Sequence, residues 1–170
     1  LRKNALSPGT LSLERHRLLW IFLEKETDFF NTENKILHIA PEQCFYKSFK
    51  KNFESYTTCD LNSPIAEIRA DVCNLPFDEN EFDFVLCNHV LEHVYDDEKA
   101  MKEIYRVLKH EGKAILQVPV DNALEKTIDG RDISDQNLRN KLFGQYDHLR
   151  LYGPDYLSLI HISEPTRLDD

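Results

Sequence analysis

Apolar residues Leu11, Leu18, Leu19, Phe22, Leu23, Phe29 and Phe30 recur at helical spacing and predict an amphipathic first helix, with Ser12 as N-cap and Glu14 in its first turn. Its polar side carries Glu14–Arg17, read as a solvated face. After "NTEN" (31–34) the rhythm changes. "KILHI" reads as a buried strand, "QCFYKSFKKN" as a short helix, "SYTTC" as a second strand ending at Asp60, and "EIRAD" as a weaker third. "FDFVLCN", Phe82 to Asn88, is almost unbroken in its apolar run and suits a parallel strand covered on both faces. Asp96 or Asp97 then caps a helix whose inner side carries Ala100, Met101, Ile104 and Leu108 and which closes at Gly112. "KAILQVP" is a fifth strand, stopped by Pro119. Strands joined by helices and long crossovers imply a doubly wound, mainly parallel α/β sheet.

Past the fifth strand the pattern dissolves. Residues 121 to 139 are polar without a period and read as a loop or lid, followed by the aromatic and basic segment "FGQYDHLRLYGPDYL" (143–157). The expected organisation is an N-terminal helical segment over 1–34, an α/β domain over 35–157 that lacks the last two strands of its class, and a non-native tail over 158–170.

Composition narrows the function classes. A chain of 170 residues with 41% hydrophobic content suffices for one core. The formal charge of -9 argues against general nucleic-acid or anionic-membrane binding. Cys44, Cys59, Cys73 and Cys87 form no C-x-x-C pair, so they read as buried thiols of a reducing cytosol, with no metal site expected. No apolar run reaches the ~20 residues of a membrane span, and a soluble, cytoplasmic protein is expected.

The candidate chemistry lies where polar residues follow strands. His38 to Glu42 follow the first, Asp60 ends the second, Asp71 ends the third, and Asn88 and His89 follow the fourth. In a doubly wound sheet these carboxyl ends are where ligands bind. Asp60 lies 22 residues after His38, the spacing at which a carboxylate accepts the hydroxyls of an adenosine ribose. On the residues alone, Asp60 reads equally as a turn-former, and Glu42 as decoration of a helix start.

The stretch from Ala70 to Pro119, with its acid, "LPF", "FDFV" and "NHVLEHV", resembles the central half of class I S-adenosylmethionine-dependent methyltransferases, close to the type 11 group. The first loop, H-x-A-P-E, and "FGQYDHLRLYG" resemble a bacterial branch of it. The resemblance implies S-adenosylmethionine as cofactor and S-adenosylhomocysteine as product. It implies that Asp60 holds the ribose hydroxyls, that Leu61 packs beside the adenine, that Asp71 and Val72 contact the adenine, and that Asn88 and His89 line the floor near the sulfonium. The wider family has a glycine-rich first loop, from which His38, Ala40 and Glu42 depart. Because the cofactor carries an ammonium and no phosphate, Glu42 suits it as a counter-charge, with Pro41 stiffening the turn.

Methyl transfer from a sulfonium needs alignment and exclusion of water, and a base only for a protonated acceptor. His89, His93, Tyr146 and His148 are the candidates for that base. The acceptor is open: a small metabolite, a lipid-linked sugar or a protein side chain. Two rivals stand beside this reading: a non-catalytic cofactor-binding or interaction module of the same fold, and an NAD-binding Rossmann oxidoreductase, which the missing glycine fingerprint disfavours.

Overall fold

The computed structural model describes residues 5–158; apart from Ser158, the expected non-native tail lies outside the described residues. The first helix, α1 (Glu14–Glu26), starts one residue later than Ser12 as N-cap requires. Leu13 holds the N-cap position, and its N–H donates to His16 Nδ1 at 3.1 Å, a histidine in place of an acidic capping partner. Only the His16, Leu19 and Leu23 stripe is buried; Leu18, read as core, is 68% exposed, because the apolar residues wrap further round the helix than the sheet can cover.

The strands and helices that follow are β1 (Ile36–Ile39), α2 (Gln43–Asn52), β2 (Tyr56–Asp60), β3 (Ile68–Arg69), β4 (Phe82–Asn88), α3 (Asp97–Val107) and β5 (Leu108–Gln117). A single 3₁₀ turn, Leu91–His93, joins β4 to α3. The sheet order is β3-β2-β1-β4-β5 with every pairing parallel, so the order reverses between β1 and β4. Successive residues of β1 and β4 serve opposite faces. Ile36, Phe84 and Leu86 join an aromatic core with Phe29, Phe45, Phe49 and Phe53 beneath α1 and α2. Leu37, Ile39, Val85 and Cys87 join a second core with Ala100, Met101, Ile104 and Val107 of α3. This two-faced burial is why neither strand alternates with polar residues.

Three boundaries correct the sequence reading. The helix does not run to Gly112: Leu108 is already extended, with φ -79° and ψ 133°. Gly112 lies inside β5, where a Cβ would come 2.8 Å from Leu108 Cγ, so the glycine serves close packing and not a helix end. Asp71 lies two residues beyond β3, in a short bridge with Asn74.

The stretch read as a loop or lid contains β6 (Ile128–Asp129) and the start of α4 (Gln136–Phe143). Asp135 caps α4 by accepting from the Asn137 and Leu138 amides. β6 pairs antiparallel with β7 (Arg150–Leu151) as a ribbon separate from the five-stranded sheet. The chain then returns to the α3 side, where Tyr152 and Tyr156 are buried in the second core. Tyr152 donates to Asp97 at 2.7 Å and Tyr156 to the Leu116 carbonyl at 3.3 Å.

Candidate active site

A cleft of about 680 Å³ opens over the carboxyl ends of the strands. That is within the ~300–1,000 Å³ usual for small-molecule sites. β1 supplies Ile39 and Ala40, β2 supplies Asp60 with Leu61, the segment after β3 supplies Asp71 and Val72, and the segment after β4 supplies His89 and His93. Asp60 Oδ1 accepts the Asn62 and Ser63 amides at 2.7 and 2.6 Å, which fixes the carboxylate at the turn. No hydrogen bond is made by its second oxygen among the described residues. Asp71 is held likewise by the Cys73 amide at 2.9 Å.

Two backbone positions in the cleft are left-handed although neither is glycine: Ala40 at φ 51° and His89 at φ 54°. Each immediately follows a central strand. The first loop therefore keeps a conformation that favours glycine while carrying alanine, at the strain such residues store near functional sites.

His38 and Glu42 sit differently from the sequence expectation. His38 is wholly buried and does not line the cleft; it is tied between Tyr56 and Glu42. The Glu42 carboxylate accepts from His38 Nε2 at 2.6 Å, which leaves Nδ1 to accept from the Tyr56 hydroxyl at 2.8 Å. Asn88 Nδ2 donates to the other Glu42 oxygen at 3.2 Å, and His16 Nε2 stands 4.0 Å from it. Burial alone would raise the Glu42 pKa. The hydrogen bond from His38, the nearby imidazoles of His38 and His16 and the Asn88 hydrogen bond outweigh it and hold the carboxyl below its ordinary value. Burial, then the Glu42 charge, push the Tyr56 hydroxyl up, so it remains a donor. Glu42 and Asn88 stand behind the cleft lining, and the Glu42 side chain is 18% exposed. Pro41 is buried beside it.

The four candidates for a base separate. His89 and His93 line the cleft, whereas Tyr146 is exposed outside it and His148 is buried beneath, its ring 4.8 Å from that of His93. His89 Nδ1 donates to Glu92 at 3.2 Å, which leaves the Nε2 lone pair unprotonated in the neutral ring.

Sequence reasoning missed Asn62, Cys73, Tyr95, Lys99 and Asp147 as lining residues. Lys99 was recoverable, since the first turn of a helix that follows β4 stands at the carboxyl edge. Burial pushes the Cys73 thiol up to about 11, which keeps it from acting as a nucleophile near neutrality. It also missed Arg150, which is buried and donates to the carbonyls of Leu91, Val94 and Tyr95 at 2.7, 2.5 and 3.0 Å. With Asp97 at 3.3 Å, it pins the turn that carries Glu92 and His93.

The lining carries the carboxylates of Asp60, Asp71, Asp96 and Asp147 against the single ammonium of Lys99. Such a surface attracts a cation and repels a pyrophosphate.

Residues 33–116 match the family described as a methyltransferase domain. That stretch spans the strands from β1 to β5 with the cleft at their carboxyl edge, and in it the chain resembles the class I methyltransferases. It is 48% identical over 60 residues to an uncharacterized protein of Methanocaldococcus jannaschii, covering 35% of this chain and 26% of that one. It is 44% identical over 52 residues to a 2-phytyl-1,4-naphtoquinone methyltransferase of Nostoc punctiforme, covering 31% and 23%. The matched stretches span about a quarter of the length of these relatives. In fold the chain resembles the YcgJ protein of Bacillus subtilis, with a TM-score of 0.64 at 17% identity over 88% of this chain and 68% of that one. It also resembles the [4+2]-cyclase SpnF, with a TM-score of 0.69 at 17% identity over 92% and 61%.

Proposed function

We propose that the cleft binds S-adenosylmethionine and that the protein transfers its methyl group to an acceptor, releasing S-adenosylhomocysteine. The observation that carries this reading is the acidic lining around a fixed Asp60 carboxylate with one uncommitted oxygen, next to a left-handed Ala40. The free oxygen of Asp60 accepts from the ribose hydroxyls. Leu61 and Val72 flank the adenine, and Asp71 accepts from its amino group. Ala40 and Pro41 carry the chain past the methionine end, where Glu42, kept ionised by His38 and Asn88, balances the ammonium. Bound cofactor supplies an electrophilic methyl on a good leaving group. The residues orient the acceptor in line with that methyl and exclude water from the floor at His89, with Asn88 buried behind it. Where the acceptor is protonated, His89 Nε2 is placed to take the proton while Glu92 holds the ring.

The Nostoc relative is named for a naphthoquinone, and a planar aromatic acceptor would suit the Tyr95 and His93 side of the cleft. Among the described residues no helix is long and apolar enough to cross a membrane. The free cysteines support a reducing, cytoplasmic location, and the acidic charge opposes general nucleic-acid binding. Likeness to a cyclase shows that this fold serves chemistry other than methyl transfer, and the second reading is a cofactor-binding module that transfers no methyl group.

Calorimetric titration with S-adenosylmethionine, S-adenosylhomocysteine and NAD tests the reading. The two sulfur ligands are expected to bind and NAD to fail, with Asp60→Ala weakening binding by about 100-fold or more for two lost charge-assisted hydrogen bonds. A folded sample that ignores both sulfur ligands rejects the proposal; binding without transfer of labelled methyl to cell extract favours the module reading.

A further inference from the structure

We infer that Glu92, His93 and His148 form a site for one divalent transition-metal cation of the zinc class. One ligand atom from each residue lies within 4.8 Å of the other two. A tetrahedral zinc site brings its ligand atoms to about 3.4 Å of one another. His93 is 32% exposed and has room to close that gap.

The histidine tautomers are set for ligation. His93 Nδ1 faces the Asp147 carbonyl at 3.3 Å, and His148 Nδ1 faces the Phe143 carbonyl at 3.1 Å. Carbonyl oxygens only accept, so each Nδ1 carries the proton and each Nε2 keeps its lone pair. A donor behind each ring is how metal-bound histidines are usually oriented.

An independent observation points to a missing partner. Glu92 is 1% exposed, and its Oε2 has no hydrogen-bond partner, while Oε1 is taken by His89. A buried carboxylate oxygen left this way is costly unless an ion or water satisfies it. Two imidazoles and one carboxylate favour a transition cation over magnesium or calcium, which prefer all-oxygen sets. Three protein ligands leave one position for water or a substrate oxygen. This departs from the expectation of no metal site: His148 lies 55 residues beyond His93, and no spacing rule joins them.

The test uses the full chain after chelator treatment, titrated calorimetrically with Zn²⁺ and spectroscopically with Co²⁺. No methyl donor is present, so the result stands apart from the transfer reading. One equivalent should bind, with a cobalt spectrum lacking thiolate charge transfer, and Mg²⁺ should not compete. Glu92→Gln, which can still accept from His89, and His93→Ala, at a partly open position, should each weaken binding at least tenfold. His110→Ala, at an exposed histidine beside Glu111, should leave binding unchanged. Should Glu92→Gln fail to fold, His93→Ala decides alone. The site is overturned if no saturable single equivalent binds, or if the folded variants keep the parental affinity.

Discussion

Glu42 and Glu92 are carried past the ends of the two central strands by similar means. In each case a strand ends, a non-glycine residue turns left-handed (Ala40, His89), and a glutamate follows within three residues. The outcomes differ. Both Glu42 oxygens have donors, His38 and Asn88, and His38 is backed in turn by Tyr56 inside the aromatic core. Glu92 has one donor and one bare oxygen, against the aliphatic face and a segment that arrives from the end of the chain. The first carboxylate is finished by its own neighbourhood and suits a fixed counter-charge. The second is incomplete and suits a ligand.

The largest perturbation of this contrast falls on the Glu92 side. Arg150→Ala would leave the carbonyls of Leu91, Val94 and Tyr95 and the Asp97 carboxylate without their shared donor. A loss of about 3–5 kcal/mol is expected in denaturant unfolding, the usual scale for breaking a buried ion pair. Glu42→Ala comes next, at about 2–3 kcal/mol, because it strands His38 Nε2 and Asn88 Nδ2. If it costs no more than a surface substitution, the first network is not the finished unit described above.

A pH series sharpens the same point. Glu42 titrates below its ordinary value of 4.5 when folded, so its stabilisation is fully present above that pH and is lost as pH falls through the lowered folded value. The parent should therefore lose stability below about pH 4.5, and Glu42→Gln should flatten that part of the acid limb. An unchanged limb would show that the carboxylate is not held charged by its neighbours. The smallest effect is expected for Ala40→Gly, a gain of about 0.5–1 kcal/mol by thermal or denaturant unfolding, as relief of left-handed strain outweighs the added chain entropy.

Sequence legibility divides along the same line. β4, α2 and the two sheet faces were readable because their apolar runs are local and strongly patterned. Asp60 was readable because its place at the end of β2 is set by a strand and a turn a few residues long. His38 looked like a loop residue, since nothing local announces that Tyr56, 18 residues on, will take its other nitrogen. α4 was read as loop because Leu138 and Leu142 stay exposed and Phe143 alone is buried, so it has no inward apolar stripe; its signals were the Asp135 cap and the left-handed Gly144 at its end. Arg150 was illegible for a different reason: an arginine looks like surface until its carbonyl partners, 55 to 59 residues earlier, are brought to it.

The return of the chain to the α3 side also has a kinetic consequence. Tyr152, Tyr156 and Arg150 reach partners 40 to 59 residues away, whereas β1, α2 and β2 meet across short connections. Contacts of such separation are slow to close, because the intervening loop must be ordered before they repay it. The β1–α2–β2 unit is therefore expected to assemble first. The floor around Glu92 matures last, so Asp60 takes its place at the end of β2 before His148 reaches His93.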